Sequence, residues 1–218
     1  MSATPASTTP AGRIETTGHT FEAVVLAGRF VRLEPVTLAH VPALAAAAAE
    51  DRSSFGWTPV PDGEDAFRAN VSLAIEELAR GRRLAFATTT VDGRVVGSTS
   101  FLDPQRWPGG NGRVDSVEIG ATWLAASAQR TVVNTEAKLL MLVHAFEQLG
   151  VHRVVLNTDA RNERSRAAIE RIGARFEGVL HGFRFGVDGT PRDTATFAIP
   201  ERDWPGVRAQ LEARVRPA

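Results

Sequence analysis

The chain has 218 residues, 43% of them hydrophobic, which suits one large folded domain. Its 25 Lys and Arg residues balance 25 Asp and Glu residues, and a neutral chain argues against nucleic acid or an anionic membrane as the main partner. The chain has no cysteine and no tyrosine. Disulfides, thiolate metal sites, a cysteine nucleophile and a phenolic acid are therefore excluded. A cysteine-free chain is compatible with a cytoplasmic location, which we expect.

The first 20 residues are rich in Ser, Thr, Pro and Ala and lack the apolar segment of a signal peptide. We predict a disordered leader over residues 1–20 and one domain over 21–218. No run of about 18 apolar residues is present, so no membrane span is expected. The five histidines show no metal-binding spacing, and no metal is expected.

The remaining sequence alternates between strand and helix patterns, with Asp92-Gly93 as a hairpin signal and Gly81 and Gly173 as helix ends. In chain order we predict a strand at 29–36, helices at 38–50 and 63–80, strands at 83–90, 94–102 and 114–124, a helix at 134–149, a strand at 152–158, a helix at 162–173, strands at 175–185 and 192–199, and a helical tail at 201–216. The order predicts an α/β fold with a single mixed, mostly antiparallel sheet of about seven strands. A central parallel βαβ unit and flanking helices complete it.

Two of these elements carry side-chain predictions. In the helix at 134–149, the predicted buried face consists of Ala137, Leu140, Val143 and Phe146. The predicted opposite side consists of Asn134, Lys138, Met141 and Gln148. In the strand at 114–124, strict alternation predicts that Ser116, Glu118, Gly120 and Thr122 share one face, and that Val117, Ile119, Ala121 and Trp123 share the other.

Several spaced motifs between residues 114 and 180 occur together: Trp123-Leu124, Gln129, Thr135-Glu136-Ala137, His152-Arg153-Val154, Asn162-Glu163-Arg164-Ser165-Arg166 and Ile172-Gly173-Ala174. This segment resembles the cofactor-binding half of the GNAT acetyltransferases, and the resemblance extends over residues 28–200. It is closest to the Rim-type branch, whose known members acetylate ribosomal-protein N-termini. The resemblance implies the acyl-CoA N-acyltransferase fold and acetyl-CoA as cosubstrate.

A loop that feeds a helix N-terminus presents free N–H groups to a pyrophosphate. In the family this loop reads Gln/Arg-x-x-Gly-x-Gly/Ala, and here Val132 replaces the first glycine and Asn134 the small residue. The alternative is an ordinary capped loop. The resemblance also implies a strand bulge near Trp123, a splayed gap beside it, and an oxyanion-stabilising backbone N–H. The predicted cofactor-binding residues are Trp123, Leu124, Gln129, Arg130, Thr131, Val132, Val133, Asn134, Thr135, Asn162 and Ser165.

Two residues are candidates for proton transfer. Glu118 lies on a small, polar strand face, and the Rim-type resemblance places the catalytic glutamate at this position. The alternative is a solvated strand carboxylate. Ser165 lies three residues after the predicted N-cap Asn162 and fits the Rim-type pattern for the acid that faces the thiolate. The alternative is plain capping.

The predicted function is acetyl transfer from acetyl-CoA to an amine, either a peptide or protein N-terminus or a small molecule. A polycationic acceptor would favour an acidic cleft, for which the sequence offers Glu50, Asp51, Asp62, Glu64 and Asp65. The competing hypothesis is a catalytically silent acyl-CoA-binding or regulatory module. Dimerisation is expected from the family resemblance alone.

Overall fold

The computed structural model describes residues 21–216, so the predicted leader at 1–20 lies outside the described residues. Eight strands form one sheet in the order β1-β2-β3-β4-β5-β6-β8-β7. They are β1 Leu26–Ala27, β2 Val31–Pro35, β3 Arg83–Thr90, β4 Val95–Gln105, β5 Ser116–Leu124, β6 Arg153–Asp159, β7 Arg175–Phe185 and β8 Pro191–Pro200. Only β5 and β6 pair in parallel. The predicted mixed sheet is confirmed, with eight strands instead of seven.

The additional strand is β1, which has two residues and pairs antiparallel with β2. A two-residue strand is too short to show the alternation that identifies strands in a sequence. The helices are α1 Val41–Ala49, α2 Gly63–Ala79, α3 Val133–Val143, α4 Glu163–Arg171 and α5 Trp204–Val215. Short 3₁₀ turns precede α1 and α5, and His144–Leu149 extends α3 as a π-helical turn. None of the helices within residues 21–216 is long and apolar enough to cross a membrane.

Strands β5 and β6 separate near the middle of the sheet. They pair at Ser116 with Arg153, Val117 with Val154 and Glu118 with Val155, and at no later position. Each continues alone on this side, β5 to Leu124 and β6 to Asp159. The separation leaves a gap between two strands that remain paired to their outer neighbours.

A β-bulge in β5 lies just past the separation. Ser98 pairs with Trp123 and Ser100 with Gly120, so β5 has one extra residue, and Ala121 has a φ of 47°. A bulge bends its strand and reverses the facing of the residues that follow. The predicted strict alternation is therefore wrong after Gly120. By its pairing Trp123 shares the face of Glu118, whereas the Thr122 hydroxyl faces Thr99 at 2.8 Å.

The predicted faces of α3 are also wrong in part. Lys138 and Met141 are buried, at 5% and 0% exposure, whereas Leu140 and Val143 are only half-buried. Helix α3 contacts strands β1 and β2 as well as helix α5. Because neighbours cover it on more than one side, a single apolar stripe does not describe its burial.

Glu136 in the first turn of α3 fixes the helix to the first hairpin. Its buried carboxylate accepts hydrogen bonds from the backbone N–H groups of Arg29 (2.8 Å), Phe30 (2.6 Å) and Val31 (2.8 Å). A side chain at Gly28 would lie 2.6 Å from this carboxylate, so the close approach requires glycine there. The same helix N-terminus thus has a fixed position relative to the sheet.

We predict that Glu136→Gln lowers the free energy of unfolding by about 2–4 kcal/mol, because its amide group would face backbone donors and lose charge-assisted hydrogen bonds. Glu212→Gln is the matched control, since Glu212 makes only a partly exposed pair with Arg208, and should cost under about 1 kcal/mol. Urea denaturation measures both values. Equal losses in the two variants would contradict the anchoring role of Glu136.

Candidate active site

A cleft of about 780 Å³ occupies the gap between β5 and β6. Its walls come from the bulged half of β5, the first turns of α3 and α4, the loop after α1 and the β7–β8 hairpin. Predicted site residues that line it include Glu118, Trp123, Leu124, Gln129, Arg130, Thr131, Asn134, Thr135, Asn162 and Ser165. The fold thus brings together residues that are up to 47 positions apart in the sequence.

Glu118 lies where the two strands part. Its side chain is buried, at 8% exposure, and its Oε2 accepts a hydrogen bond of 2.7 Å from Asn157 Nδ2 on β6. Burial raises the pKa of Glu118, and the hydrogen bond from Asn157 opposes this rise. A solvated strand carboxylate does not describe this residue. A buried carboxyl of raised pKa in a cleft has the properties of a general base.

Trp123 and Leu124 form the β5 wall beyond the bulge. The Trp123 ring packs against Phe55 and Phe67 at centroid distances of 5.9 and 5.6 Å. The Leu124 carbonyl accepts a hydrogen bond of 2.9 Å from Gln129 Nε2. These contacts support the bulged strand on one side and connect it to the loop that leads into α3.

The loop before α3 is held by its own side chains. Gln129 donates to Ser54 Oγ at 3.0 Å and accepts from Arg164 on α4 at 2.9 Å. The Thr131 hydroxyl donates to Ala128 O at 2.7 Å and accepts from Val133 N at 3.3 Å. Gln129 and Thr131 therefore shape the loop, and Gln129 joins both sides of the cleft.

The backbone of this loop explains the missing glycine. Val132 has φ −67° and ψ −18°, an ordinary right-handed helical conformation that valine adopts without strain. The left-handed position is Arg130, with a φ of 61°. Because α3 begins at Val133, the N–H groups of Asn134 and Thr135 have no acceptor within the helix. They line the cleft and form the positive end of the helix dipole.

Asn162 and Ser165 begin α4 on the opposite wall. Asn162 is the N-cap, and its side-chain oxygen accepts a hydrogen bond of 3.0 Å from Ser165 N. Capping thus uses the backbone of Ser165, while the side chain of this half-buried residue lines the cleft. The N-cap prediction is confirmed, and capping leaves the Ser165 hydroxyl free for another role.

Sequence reasoning missed Lys138, which is the single lysine of the chain. Its Nζ donates to Thr99 Oγ1 at 2.9 Å and to Thr122 Oγ1 at 2.7 Å, next to the bulge. Burial lowers the pKa of Lys138 from 10.5 to about 7. Lys138 lies one helical turn after Asn134, and both residues line the cleft. The spacing of one turn from Asn134 could have indicated that Lys138 shares its side of the helix. The sequence does not show which side of α3 faces the gap.

Several charged and aromatic residues lie outside the lining of the cleft. Arg161 binds Asp159 and Asp188 and stacks over Trp57 at 4.0 Å, and Arg175 pairs with Asp203. Trp107 stacks on His152 at 5.9 Å, away from the cleft lining. Within residues 21–216, no cluster of three or more His, Asp or Glu side chains could hold a metal.

The chain belongs to the GNAT acetyltransferases, since the model of the acetyltransferase (GNAT) domain family matches residues 31–175. Members of this family use acetyl-CoA as acetyl donor. The predicted family and fold are therefore confirmed.

Two solved structures are similar over most of the chain, and one curated protein over part of it. A GCN5-related N-acetyltransferase from Brucella melitensis is 28% identical with a TM-score of 0.79, over 91% of this chain and 88% of that chain. Mycobacterium smegmatis RimJ, solved with CoA-disulfide, is 27% identical with a TM-score of 0.73, over 89% and 93%. Among curated proteins, the Bacillus subtilis (strain 168) "Putative ribosomal N-acetyltransferase YdaF" is 34% identical over 89 residues, which are 41% of this chain. That match spans about half, 48%, of the length of the relative.

Lys138→Met tests the buried amine through stability. Because the pKa of Lys138 is lower in the folded than in the unfolded chain, the unfolded chain binds more protons between pH 7 and 10.5, and stability rises with pH there. Methionine removes this cost. The quantity to compare is the free energy of unfolding of Lys138→Met minus that of the unsubstituted chain. We predict that this difference is about 3 kcal/mol more positive at pH 7 than at pH 10, since each pKa unit corresponds to about 1.4 kcal/mol.

Urea denaturation of both proteins at the two pH values gives this difference. The chain has no Tyr, Cys or second Lys, so few other groups titrate in this range, and their contributions cancel between the two proteins. A difference that stays constant with pH would show that Lys138 keeps an ordinary pKa in the folded protein.

Proposed function

We propose that this protein transfers the acetyl group of acetyl-CoA to an amine, with Glu118 as general base. The observation that carries the proposal is a buried carboxylate at the apex of the gap between β5 and β6, held by Asn157 and facing a cleft with a helix N-terminus on its other wall. The GNAT family supplies the reaction class.

The residues of the cleft fit acetyl-CoA. The first-turn N–H groups of Asn134 and Thr135, with the exposed Arg130 beside them, would hold the pyrophosphate. The free edge of β5 and the side chain of Asn162 would hold the pantetheine arm, which is linear and polar. When bound, acetyl-CoA supplies an activated acetyl group as a thioester.

Glu118 would remove the proton that prevents attack. Alkylamines are mostly protonated near pH 7 and must lose a proton to become nucleophilic. Asn157 occupies Oε2 of Glu118, and no hydrogen bond from the described part of the chain engages Oε1. The raised pKa of Glu118 brings the carboxylate closer to the pKa of the amine, which favours proton transfer directly or through water.

Two further groups complete the proposed mechanism. A backbone N–H near Trp123, beside the bulge, would stabilise negative charge on the acetyl oxygen. The Ser165 hydroxyl would hydrogen-bond the departing sulfur from the other wall, since capping engages only the Ser165 backbone. No phenol is available for this second role, because the chain has no tyrosine.

The acceptor we propose is the α-amine of a peptide or protein, by analogy with the YdaF relative, which is named as a putative ribosomal N-acetyltransferase. The acidic residues that would favour a polycationic acceptor do not line the cleft. Asp51 accepts from Ser53 N, Glu50 binds Ser127 and Arg94, and Asp62 pairs with Arg52. The cytoplasmic location and the homodimer stay predictions.

Glu118→Gln should lower kcat/KM for acetyl transfer by about 100-fold or more, the scale typical of losing a general base. In the unsubstituted enzyme kcat/KM should rise with pH as Glu118 ionises, and its raised pKa places this rise above the ordinary range of a glutamate. The Glu118→Gln variant should lose this rise of kcat/KM with pH. Release of free CoA thiol, measured between pH 5 and 9, gives both profiles.

Glu77→Gln is the control, because Glu77 pairs with Arg83 outside the cleft. It should leave both the rate and the pH profile unchanged. Equal rates for Glu118→Gln and the unsubstituted enzyme across this pH range would remove Glu118 from the mechanism.

Asn134→Asp tests the phosphate site without harming the helix. A carboxylate in the first turn of α3 favours the helix dipole but repels a pyrophosphate. We predict that the Kd for CoA in calorimetric titration rises at least tenfold, a loss of about 1.4 kcal/mol of binding free energy. The thermal stability should be undiminished. Asn111→Asp, in the loop between β4 and β5, is the isosteric control and should bind CoA normally. Unchanged affinity in Asn134→Asp would place the phosphates elsewhere.

A further inference from the structure

Two arginines face Glu118 from the β7–β8 hairpin. Arg184 and Arg192 are Cα partners across the two strands, and both line the cleft that contains Glu118. Neither makes a salt bridge with any carboxylate among residues 21–216. Arg184 is exposed, with its guanidinium over the Phe183 ring at 4.9 Å, whereas Arg192 is half-buried. A half-buried guanidinium close to a second positive charge is favourable only when an anion compensates it.

The nearby acids do not provide that compensation. Among the acidic residues, Asp159 has the largest electrostatic effect on the pKa of Arg192. Its carboxylate oxygens, however, accept hydrogen bonds from Arg161 at 2.8–3.0 Å. Asp188 at the hairpin turn is also bound to Arg161, at 2.8 Å. Glu118 accepts from Asn157, not from an arginine. Burial and the charge of Arg184 lower the pKa of Arg192, and the charges of Asp159 and Glu118 only partly oppose this.

A row of polar atoms leads from Glu118 toward this pair. Asn157 pairs with Thr196 and Asp159 with Thr194, so these side chains share one face of the sheet with Arg192, two residues further along β8. Four buried atoms in this row have no hydrogen-bond partner within the described structure: Asn157 Oδ1, Thr196 Oγ1, Thr194 Oγ1 and Arg192 Nε. Buried polar atoms in folded proteins are nearly always paired, so such a row calls for a polar partner.

We propose that Arg184 and Arg192 form a subsite for a carboxylate carried by the acceptor, one residue from the amine that Glu118 deprotonates. Arginine presents a rigid fork of donors that matches a carboxylate. The acceptor is therefore an acidic amine, such as a peptide whose first residues include Glu or a dipeptide with a free C-terminus. This substrate class rests on the acetyl transfer proposed above.

The class differs from the polycationic acceptors that the sequence alone left open. A polyamine or an aminoglycoside would place further cations against the two arginines, and like charges at contact distance in a cleft repel each other. The arginine pair thus selects for anionic acceptors and against cationic ones.

Matched acceptors test the subsite. Ser-Glu-amide is compared with Ser-Gln-amide, and Ser-Ala with Ser-Ala-amide, by thiol release at saturating acetyl-CoA and equal pH. Each pair keeps the same attacking amine, and the two pairs separate a side-chain carboxylate from a terminal one. We expect the acidic member of at least one pair to have a kcat/KM at least tenfold higher, mainly through a lower KM.

The variants localise the effect. Arg184→Gln and Arg192→Gln should each reduce the preference, and Arg192→Glu should shift it toward Ser-Arg-amide. Arg184→Lys keeps the charge and should retain part of the preference. Arg82→Gln removes the same charge from an exposed turn outside the cleft and should change nothing. Thermal stabilisation by CoA verifies that each variant is folded with an intact cofactor site.

The two proposals fail in different ways. Equal kcat/KM values within both pairs, or a preference for acids that survives both Arg→Gln substitutions, would overturn the carboxylate subsite and leave acetyl transfer intact. If CoA binds but no amine is acetylated, acetyl transfer to these amines fails. Thermal shifts with the acidic and neutral peptides then decide the subsite, since only acid-selective stabilisation that depends on Arg184 and Arg192 supports it.

Discussion

The cleft and the residues around it depend on the separation of β5 and β6 after three paired positions. A parallel pair that continued to the strand ends would fill the centre of the sheet with backbone hydrogen bonds. The bulge at Ala121 bends β5 away instead, and backbone groups on the inner edges become available to a ligand. The cleft, the buried position of Glu118 and the approach of two helix N-termini all follow from this one departure from a regular sheet.

Contacts on each side support the walls of the gap. Trp123 packs on Phe55 and Phe67 beyond the bulge, and Lys138 joins Thr99 and Thr122 behind it. Glu136, two residues before Lys138, fixes α3 to the first hairpin through three backbone N–H groups. The helix that would receive phosphates is thus positioned by a buried carboxylate. A buried amine with a lowered pKa follows one half-turn later, a costly arrangement typical of functional sites.

The cleft has two chemically distinct ends. At the α3 end, free N–H groups of the first turn and a loop held by Gln129 and Thr131 suit an anionic cofactor. At the β7–β8 end, Arg184 and Arg192 create a second positive region, although the chain as a whole is neutral. Glu118 lies between them. Net charge, which excludes whole classes of partner, therefore says little about the field inside a cleft, where a few oriented groups dominate.

The sequence by itself determined the family, the order of the elements, the α4 N-cap at Asn162 and the place of Glu118 on a central strand. Those features depend on local patterns and spacing, which short stretches of chain encode. The tertiary structure decided the rest. It showed that Val132 needs no left-handed backbone, that Thr122 and Trp123 exchange faces at the bulge, and that Lys138 is buried. It also brought Asn157, Arg184 and Arg192 to the cleft of Glu118. Bulges, strand separation and contacts between residues far apart in the chain arise from packing, because no local pattern specifies which strand edges remain unpaired.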